Sequence, residues 1–454
     1  MIRARVESLG CRANQADGDA LAAGLAAQGC ELSESGAADV VVLNTCSVTA
    51  EAEREARAII RRTVRDNPSA RIVVTGCYAQ RAPEELAGLP GVSAVAGNSH
   101  KGAVVDLALG RLLDGRGGFV ALDAIRLPSL APMLVSDDFA HADIALPGQA
   151  GENGRFAQRT RPSLKIQDGC GNRCSFCIIP ATRGASRSLT ADRILADAER
   201  FVTGGGAELV LSGINLGRWG RDLTPPQRLE DLIEKILAET ALPRLRISSL
   251  EPMDWTEGLI AQFSRWGAGE HPRLARHAHI PLQSGSDAVL RRMHRRYRPW
   301  HYAAQVEALR AASPHAAIGA DVMVGFPGET DAEFRETCDF IARLPLTYLH
   351  LFPFSARPGT PAWRLHEQSP VHGSAVRERM GLLRDLMREK SRAFRQQFIG
   401  ASLSAISLRT SSSTGSALSD NFLPLELDEA HPANQKVLVR VTALTPDGLT
   451  GVIL

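Results

Sequence analysis

From Met1 to about Gly110, short β-branched runs alternate with amphipathic stretches. RARVESL, DVVVLN and ARIVVTG have the composition of buried strands, while ADGDALAAGLAAQG and AEREARAIIRRTVRD repeat apolar positions at helical spacing. This order predicts a βαβαβ unit, hence a doubly wound parallel α/β domain over residues 1–112. Residues 113–160 are rich in Gly, Pro, Asp and Ala (DGRGGF, LPGQAGENG) and lack a sustained period, which predicts a linker.

Beyond Pro162 the alternation resumes. SLKIQD, ELVLSG, RLRISSL, HAHIPL, AIGADVMVGF and LTYLHLF are strand-like, with helical stretches such as DRILADAERFVTG and LEDLIEKILAE between them. Six such units predict a partial (β/α)6 barrel, not the closed form of eight. The charged helical stretch VRERMGLLRDLMREKSRAFRQQF leads out of it, so this domain is placed at 161–398. Residues 399–454 alternate apolar and polar positions (SLSAISL, NFLPLEL, KVLVRVTAL, GLTGVIL) with Ser/Gly turns, as a small β-barrel does. No internal repeat is found.

Composition narrows the picture. The chain has 454 residues, 44% apolar and 22% charged, enough for two or three domains with large cores. It has no apolar run long enough to span a bilayer, and MIRARVESLGC lacks a signal-peptide core, so a soluble cytoplasmic protein without membrane contact is expected. A net charge of +2 does not mark a bulk polyanion binder, and any nucleic-acid footprint must be local. Eight cysteines are too few and too uneven for a disulfide scaffold, and clustered thiols in a reducing compartment point to metal or catalysis.

Cys170, Cys174 and Cys177 form a C-x3-C-x2-C run in KIQDGCGNRCSFCIIP, just after a predicted strand. Three thiolates this close can hold three corners of an iron-sulfur cubane and leave the fourth iron open. Zinc would want a fourth Cys or His nearby, and none follows at the usual spacing. Cys11, Cys46 and Cys77 each follow a predicted strand. In a doubly wound sheet such ends converge on one edge, making a second three-Cys set. The ordinary alternative is that small apolar cysteines fill strand ends in a core. Cys30 and Cys338 fit neither trio and are expected to be core or surface thiols.

The C-x3-C-x-aromatic-C pattern, with Phe176 as the aromatic, resembles the radical S-adenosylmethionine superfamily. In that superfamily the open iron chelates the methionine moiety, and one-electron reduction yields a 5′-deoxyadenosyl radical. Gly205, Gly206 and Glu208 in GGGAELVLSG resemble the glycine-plus-carboxylate element that meets the methionine amino group, the alternative being a helix C-cap running into a strand. Ser249 and Glu251, and Gln283 and Ser284, follow predicted barrel strands at the ends where barrel enzymes place working groups. With GFPGET (325–330) and FPFSARPGT (352–360), they match the methylthiotransferase family in order and spacing. The resemblance extends over the N-terminal domain and a C-terminal barrel similar to the TRAM module.

The resemblance implies two [4Fe-4S] clusters and S-adenosyl-L-methionine as cofactors. One S-adenosylmethionine would methylate sulfur held at the N-terminal cluster, and a second would supply the radical. It also implies a reductant such as flavodoxin or ferredoxin, and leaves the sulfur donor open. Family members act on isopentenyladenosine in tRNA, on threonylcarbamoyladenosine in tRNA, or on an aspartate of a ribosomal protein. LGCRANQADGD and LSGINLGRWG look most like the threonylcarbamoyladenosine branch, whose substrate is position 37 in the tRNA anticodon stem-loop.

Two arginine groups could grip phosphate: Arg54, Arg57, Arg61, Arg62 and Arg65 near helical spacing, and Arg291, Arg292, Arg295, Arg296 and Arg298 beside Tyr297 and Trp300. Solvated helix faces are the plainer alternative. The C-terminal module departs from the pattern, with Arg409, Lys436 and Arg440 against Asp420, Glu426, Asp428, Glu429 and Asp447. Outside this enzyme class, the same cysteines would suit an iron-sulfur electron-transfer protein, or a zinc-dependent RNA-binding protein.

Overall fold

A computed structural model of the chain describes residues 1–111, 131–139, 160–410 and 414–454, which form two compact units. The first unit gathers described residues of Met1–Arg155 with Ser163–Leu189 and Ser355–Thr360; the second gathers those of Phe156–Pro162 with Thr190–Phe354 and Pro361–Leu454.

In the first unit the chain runs through β1 (Arg3–Ser8), α1 (Arg12–Ala27), β2 (Glu31–Leu32), β3 (Val40–Thr45), α2 (Ala50–Asp66) and β4 (Arg71–Gly76). It continues through α3 (Cys77–Arg81), α4 (Pro83–Ala87), β5 (Val92–Gly97), α5 (Val104–Ala108) and β6 (Met133–Leu134). The six strands form a parallel sheet in the order β2-β1-β3-β4-β5-β6. Both faces are covered, which is why every residue of VVVLNT in β3 is buried. Leu21, Leu25, Val42, Val73 and Leu107 pack on one face, and Leu43, Ile60, Val74, Tyr78 and Leu86 on the other. A fully buried side chain of this size contributes about 1.5–3 kcal/mol. Helix α2 starts where the Thr49 hydroxyl accepts the Ala52 N–H at 3.1 Å, with Glu51 and Glu53 in the first turn and Arg65 in the last.

The predicted linker 113–160 is only partly described, and the described part corrects the reading. Met133–Leu134 add a sixth strand beside β5, too short for a period to show. After it come β7 (Ser163–Asp168), α6 (Ile179–Arg183) and β8 (Arg187–Ser188), with β7 and β8 antiparallel.

The second unit contains α7 (Ala191–Thr203), β9 (Glu208–Gly213), α8 (Leu229–Glu239), β10 (Arg244–Ile247), α9 (Glu257–Trp266) and β11 (His277–His279). Then follow α10 (Asp287–Arg292), α11 (Pro299–Ala312), β12 (Ala317–Val324), α12 (Asp331–Arg343), β13 (Tyr348–Pro353), α13 (Pro361–Gln368) and α14 (Gly373–Gln396). Strands β9 and β10 are parallel, as are β11, β12 and β13. Thus each of the six predicted barrel runs contains a strand, and the first of them, β7, belongs to the first unit.

The last five strands close into a barrel: β14 (Ser402–Ser407), β15 (Gly415–Ser419), β16 (Pro424–Leu427), β17 (Lys436–Leu444) and β18 (Leu449–Ile453), ordered β14-β15-β16-β18-β17. Leu403, Ala405, Leu425, Leu427, Val439 and Leu449 fill it, joined by Phe394 and Phe398 at the end of α14. The fold is therefore α/β with parallel sheets and a small C-terminal β-barrel.

Candidate functional site

Cys11, Cys46 and Cys77 stand just past the C-terminal ends of β1, β3 and β4. Two glycines let these loops close on one another. Gly10 has φ +89°, and a Cβ there would lie 2.6 Å from Cys46 Sγ; Gly76 has φ +97°, and a Cβ there would lie 2.3 Å from the Thr45 carbonyl oxygen. Asn14 ties the loops together. Its side-chain amide donates to the Leu9 (2.7 Å), Asn44 (3.3 Å) and Thr45 (3.1 Å) carbonyls, while Asn44 Nδ2 donates to the Asn14 carbonyl at 2.6 Å. The loop after Cys46 is held by Glu53, which accepts from Ser47 Oγ (2.5 Å) and Arg81 Nε (2.7 Å) and pairs with Arg357 (2.5 Å).

Cys11 feels the charge of Cys77, and Cys46 feels that of both Cys77 and Cys11. Burial, then the neighbouring Cys77, pushes the Cys46 thiol up to about 12. Cys11 is exposed to solvent as a residue, yet protein surrounds its thiol densely enough that burial raises it as well. A metal group bound here would deprotonate its cysteine ligands and offset the effect of burial. Cys77 Sγ lies 3.4 Å from both Asn98 Nδ2 and Arg183 Nε, donors suited to a ligated thiolate.

Cys170, Cys174 and Cys177 lie in the same unit, on the loop between β7 and α6, all half-buried, with Phe176 half-buried among them. Gly169 begins the loop at φ +73°, where a Cβ would strike the Ala185 carbonyl at 1.9 Å. The Cys170 N–H donates to the Gly184 carbonyl (3.0 Å), the Cys177 N–H to the Cys174 carbonyl (3.1 Å), and the Asn172 N–H approaches Cys170 Sγ at 3.4 Å. An N–H aimed at sulfur, with thiols held on a folded loop, again fits an iron-sulfur group.

The expected S-adenosylmethionine contacts divide. Glu208 lies at the N-terminal start of β9, opposite Arg244 in the register, and is fully buried. Its carboxylate accepts from Arg246 Nε (2.7 Å) and Nη2 (3.2 Å) and pairs with Arg244 (3.5 Å). Burial alone would raise this carboxyl, but the Arg246 charge and hydrogen bonds, then Arg244 and Arg161, outweigh it and hold the group at about 2. Arg246 also donates to the Ser419 carbonyl (3.1 Å), and Arg244 to Ser404 Oγ (2.6 Å), so this ion cluster pins the C-terminal barrel. The reading of Glu208 as a cofactor ligand is corrected. Gly205 and Gly206 are corrected with it: their N–H groups bond the Val202 (2.9 Å) and Phe201 (3.0 Å) carbonyls and terminate α7.

Ser284 is likewise structural, its buried hydroxyl 3.1 Å from Thr337 Oγ1 and accepting the Ser286 N–H at 3.2 Å. Gln283 differs. It has φ 65°, and its buried Oε1 has no hydrogen-bond partner among the described residues. Ser249 and Glu251 follow β10, and Glu251 pairs with Arg295.

Sequence reasoning missed one constellation in this unit. His279, Asp321 and His350, on β11, β12 and β13, bring ligating atoms within 4.8 Å of one another, with Asp321 Oδ1 3.0 Å from His279 Nε2 and 3.3 Å from His350 Nδ1. Three single residues on separate strands give no local signal. Of the second arginine group, Arg291 and Arg298 pair with Asp287, Arg292 with Glu333 and Arg295 with Glu251, while Tyr297 is buried, so only Arg296 and Trp300 remain exposed without a described ion pair. In the first group Arg54, Arg57 and Arg65 have acidic partners, and Arg61 and Arg62 are exposed without a described one.

Comparison with known proteins gives consistent results. Residues 3–97 match the model of uncharacterized protein family UPF0004, and residues 164–341 that of the Radical SAM superfamily. The chain is 35% identical to the threonylcarbamoyladenosine tRNA methylthiotransferase MtaB of Bacillus subtilis (strain 168), covering 88% of this chain and 83% of that one. It is 34% identical to the tRNA-2-methylthio-N(6)-dimethylallyladenosine synthase of Novosphingobium aromaticivorans, covering 87% and 84%. Among solved structures it is similar in fold to the radical S-adenosylmethionine methyltransferase TsrM of Kitasatospora setae (TM-score 0.54, 17% identity, covering 81% of this chain and 78% of that one). No described helix is long and apolar enough to cross a membrane. The chain belongs to the radical-SAM methylthiotransferase family, enzymes that work with S-adenosylmethionine and [4Fe-4S] clusters.

Proposed function

We propose that this enzyme converts N6-threonylcarbamoyladenosine at position 37 of tRNA to its 2-methylthio derivative, in the cytoplasm. The observation that carries the enzymatic reading is that both cysteine trios are built into one compact unit, each on loops shaped by left-handed glycines. Cys11, Cys46 and Cys77 would hold one [4Fe-4S] cluster, and Cys170, Cys174 and Cys177 the other. With S-adenosylmethionine, these groups supply a carbon radical and a methylated sulfur when bound.

The protein's own contribution is placement. Asn14 and Glu53 fix the first trio's loops, and Phe176 lines the second. In the second unit, Gln283, whose Oε1 has no partner among the described residues, and Ser249 and Glu251 are the groups proposed to meet S-adenosylmethionine. Exposed Arg61 and Arg62 are proposed to contact tRNA phosphate, and a one-electron donor such as flavodoxin or ferredoxin to supply electrons.

The substrate follows the relatives named for threonylcarbamoyladenosine, 31–35% identical to this chain. Relatives named for dimethylallyladenosine, at 32–34%, favour the second reading almost equally. Mass spectrometry of tRNA nucleosides from a strain lacking the gene separates the two. Loss of the 2-methylthio form with accumulation of threonylcarbamoyladenosine, restored by the wild-type gene but not by Cys170→Ala, is expected. Loss of the methylthio dimethylallyl nucleoside instead would select the second reading. Persistence of both would remove tRNA as the substrate.

A further inference from the structure

A buried charge cluster lies against Cys77. Asp17, Lys101, Lys165, Asp168 and Arg183 are each at most 5% exposed. Lys101 Nζ lies 2.6 Å from Asp17, and Lys165 Nζ bonds Asp17 and sits 3.0 Å from Asp168. The Arg183 guanidinium takes Asp168 on Nη1 (2.9 and 3.1 Å) and Asn14 Oδ1 (2.9 Å) and Asp17 (3.2 Å) on Nη2. Its remaining donor, Nε, points at Cys77 Sγ. Asn98 Nδ2 reaches the same sulfur while also donating to the Thr182 carbonyl at 2.9 Å. Cys11 and Cys46, by contrast, take backbone N–H groups, from Asn14 and Val48.

Among the described residues, three cations against two carboxylates leave a surplus positive charge in a dry site. Such a surplus is costly unless an anion lies beside it. The geometry points to the thiolate of Cys77 as that anion: we propose that Arg183 and Asn98 are positioning residues that raise the reduction potential of the cluster held by Cys11, Cys46 and Cys77. Reduction adds one electron and no proton to an already anionic three-thiolate cluster, so donors to sulfur and a fixed positive charge stabilise the reduced form more than the oxidised one. Arg183 is itself anchored in the other cysteine loop, since Asp168 lies just before Cys170 and α6 follows Cys177. One guanidinium therefore serves both loops. The inference rests on the proposed assignment of the first trio as cluster ligands.

The test uses the full chain carrying Cys170→Ala, Cys174→Ala and Cys177→Ala, so that only the first cluster is reconstituted, with iron assay and an EPR-monitored dithionite titration. Asn98→Ala and Arg183→Lys, each added singly, should make one-electron reduction about tenfold less favourable, about 59 mV, with Arg183→Gln moving it further. Unchanged potentials in variants with full iron content would overturn the inference while leaving the ligand assignment intact. A background chain that binds no iron would overturn both. Should the Arg183 variants fail to hold a cluster, Asn98→Ala decides alone: a lowered potential supports the inference and an unchanged one rejects it.

Discussion

Replacing Glu208 by Gln separates a structural role from a cofactor role at one position. The substitution keeps the shape and removes the charge that Arg246 and Arg244 enclose. A carboxyl ordinarily near 4.5 and held at about 2 in the fold contributes about 3 kcal/mol at neutral pH. Independently, removing one partner of a buried ion pair costs about 3–5 kcal/mol. Because the folded value is depressed, the contribution is complete above about pH 4.5 and is lost as pH falls toward 2. The tryptophans, 219, 255, 266, 300 and 363, all lie in the second unit, so their fluorescence in urea reports that unit. Glu208→Gln should lower the urea midpoint by the equivalent of about 3 kcal/mol at pH 7. The gap from wild type should narrow as the pH is lowered from 4.5. S-adenosylmethionine affinity, by equilibrium dialysis at low urea, should stay within a factor of two or so. An unchanged midpoint with affinity lost tenfold or more would refute the reasoning and return Glu208 to the cofactor.

Three further outcomes are expected. Substituting Ala for Cys11, Cys46 and Cys77 together, or for Cys170, Cys174 and Cys177 together, should each halve the iron bound per folded chain by colorimetric assay. Gly10→Ala forces a Cβ to within 2.6 Å of Cys46 Sγ at φ +89°, so iron at the first trio should fall several-fold while tryptophan fluorescence of the second unit is unchanged. Arg61→Glu with Arg62→Glu should weaken tRNA binding and reduce the salt slope by about two, by filter binding at graded salt.

Strand positions were legible because buried parallel strands are continuous apolar runs, as in VVVLNT and ELVLSG. Convergence of strand ends also placed Cys11, Cys46 and Cys77 together, since topology alone dictates it. Polarity along a strand was less legible. A glycine-rich turn entering β9 looks like one leaving it, and the partners that explain Glu208 lie far away at Arg244, Arg246 and Ser419. The small residues of VSAVAG in β5 and the two-residue β6 escaped notice because neither carries a period. Clustered arginines suggested a phosphate grip, yet most are spent on carboxylates such as Glu333, which sequence distance conceals.

The short segment Ser355–Thr360 has a consequence for synthesis. It belongs to the first unit, where the Ser355 hydroxyl accepts the Ala50 N–H at 3.0 Å and the nearly inaccessible Arg357 meets Glu53 beside the Cys46 loop. A ribosome making roughly 5–20 residues per second reaches this segment on the order of ten seconds after Leu189. Until then Glu53 lacks one of its cations, and the loop bearing Cys46 waits with one clasp undone. A nascent chain therefore completes the clasp on the loop bearing Cys46 only after all five strands from β9 to β13 of the second unit have been translated.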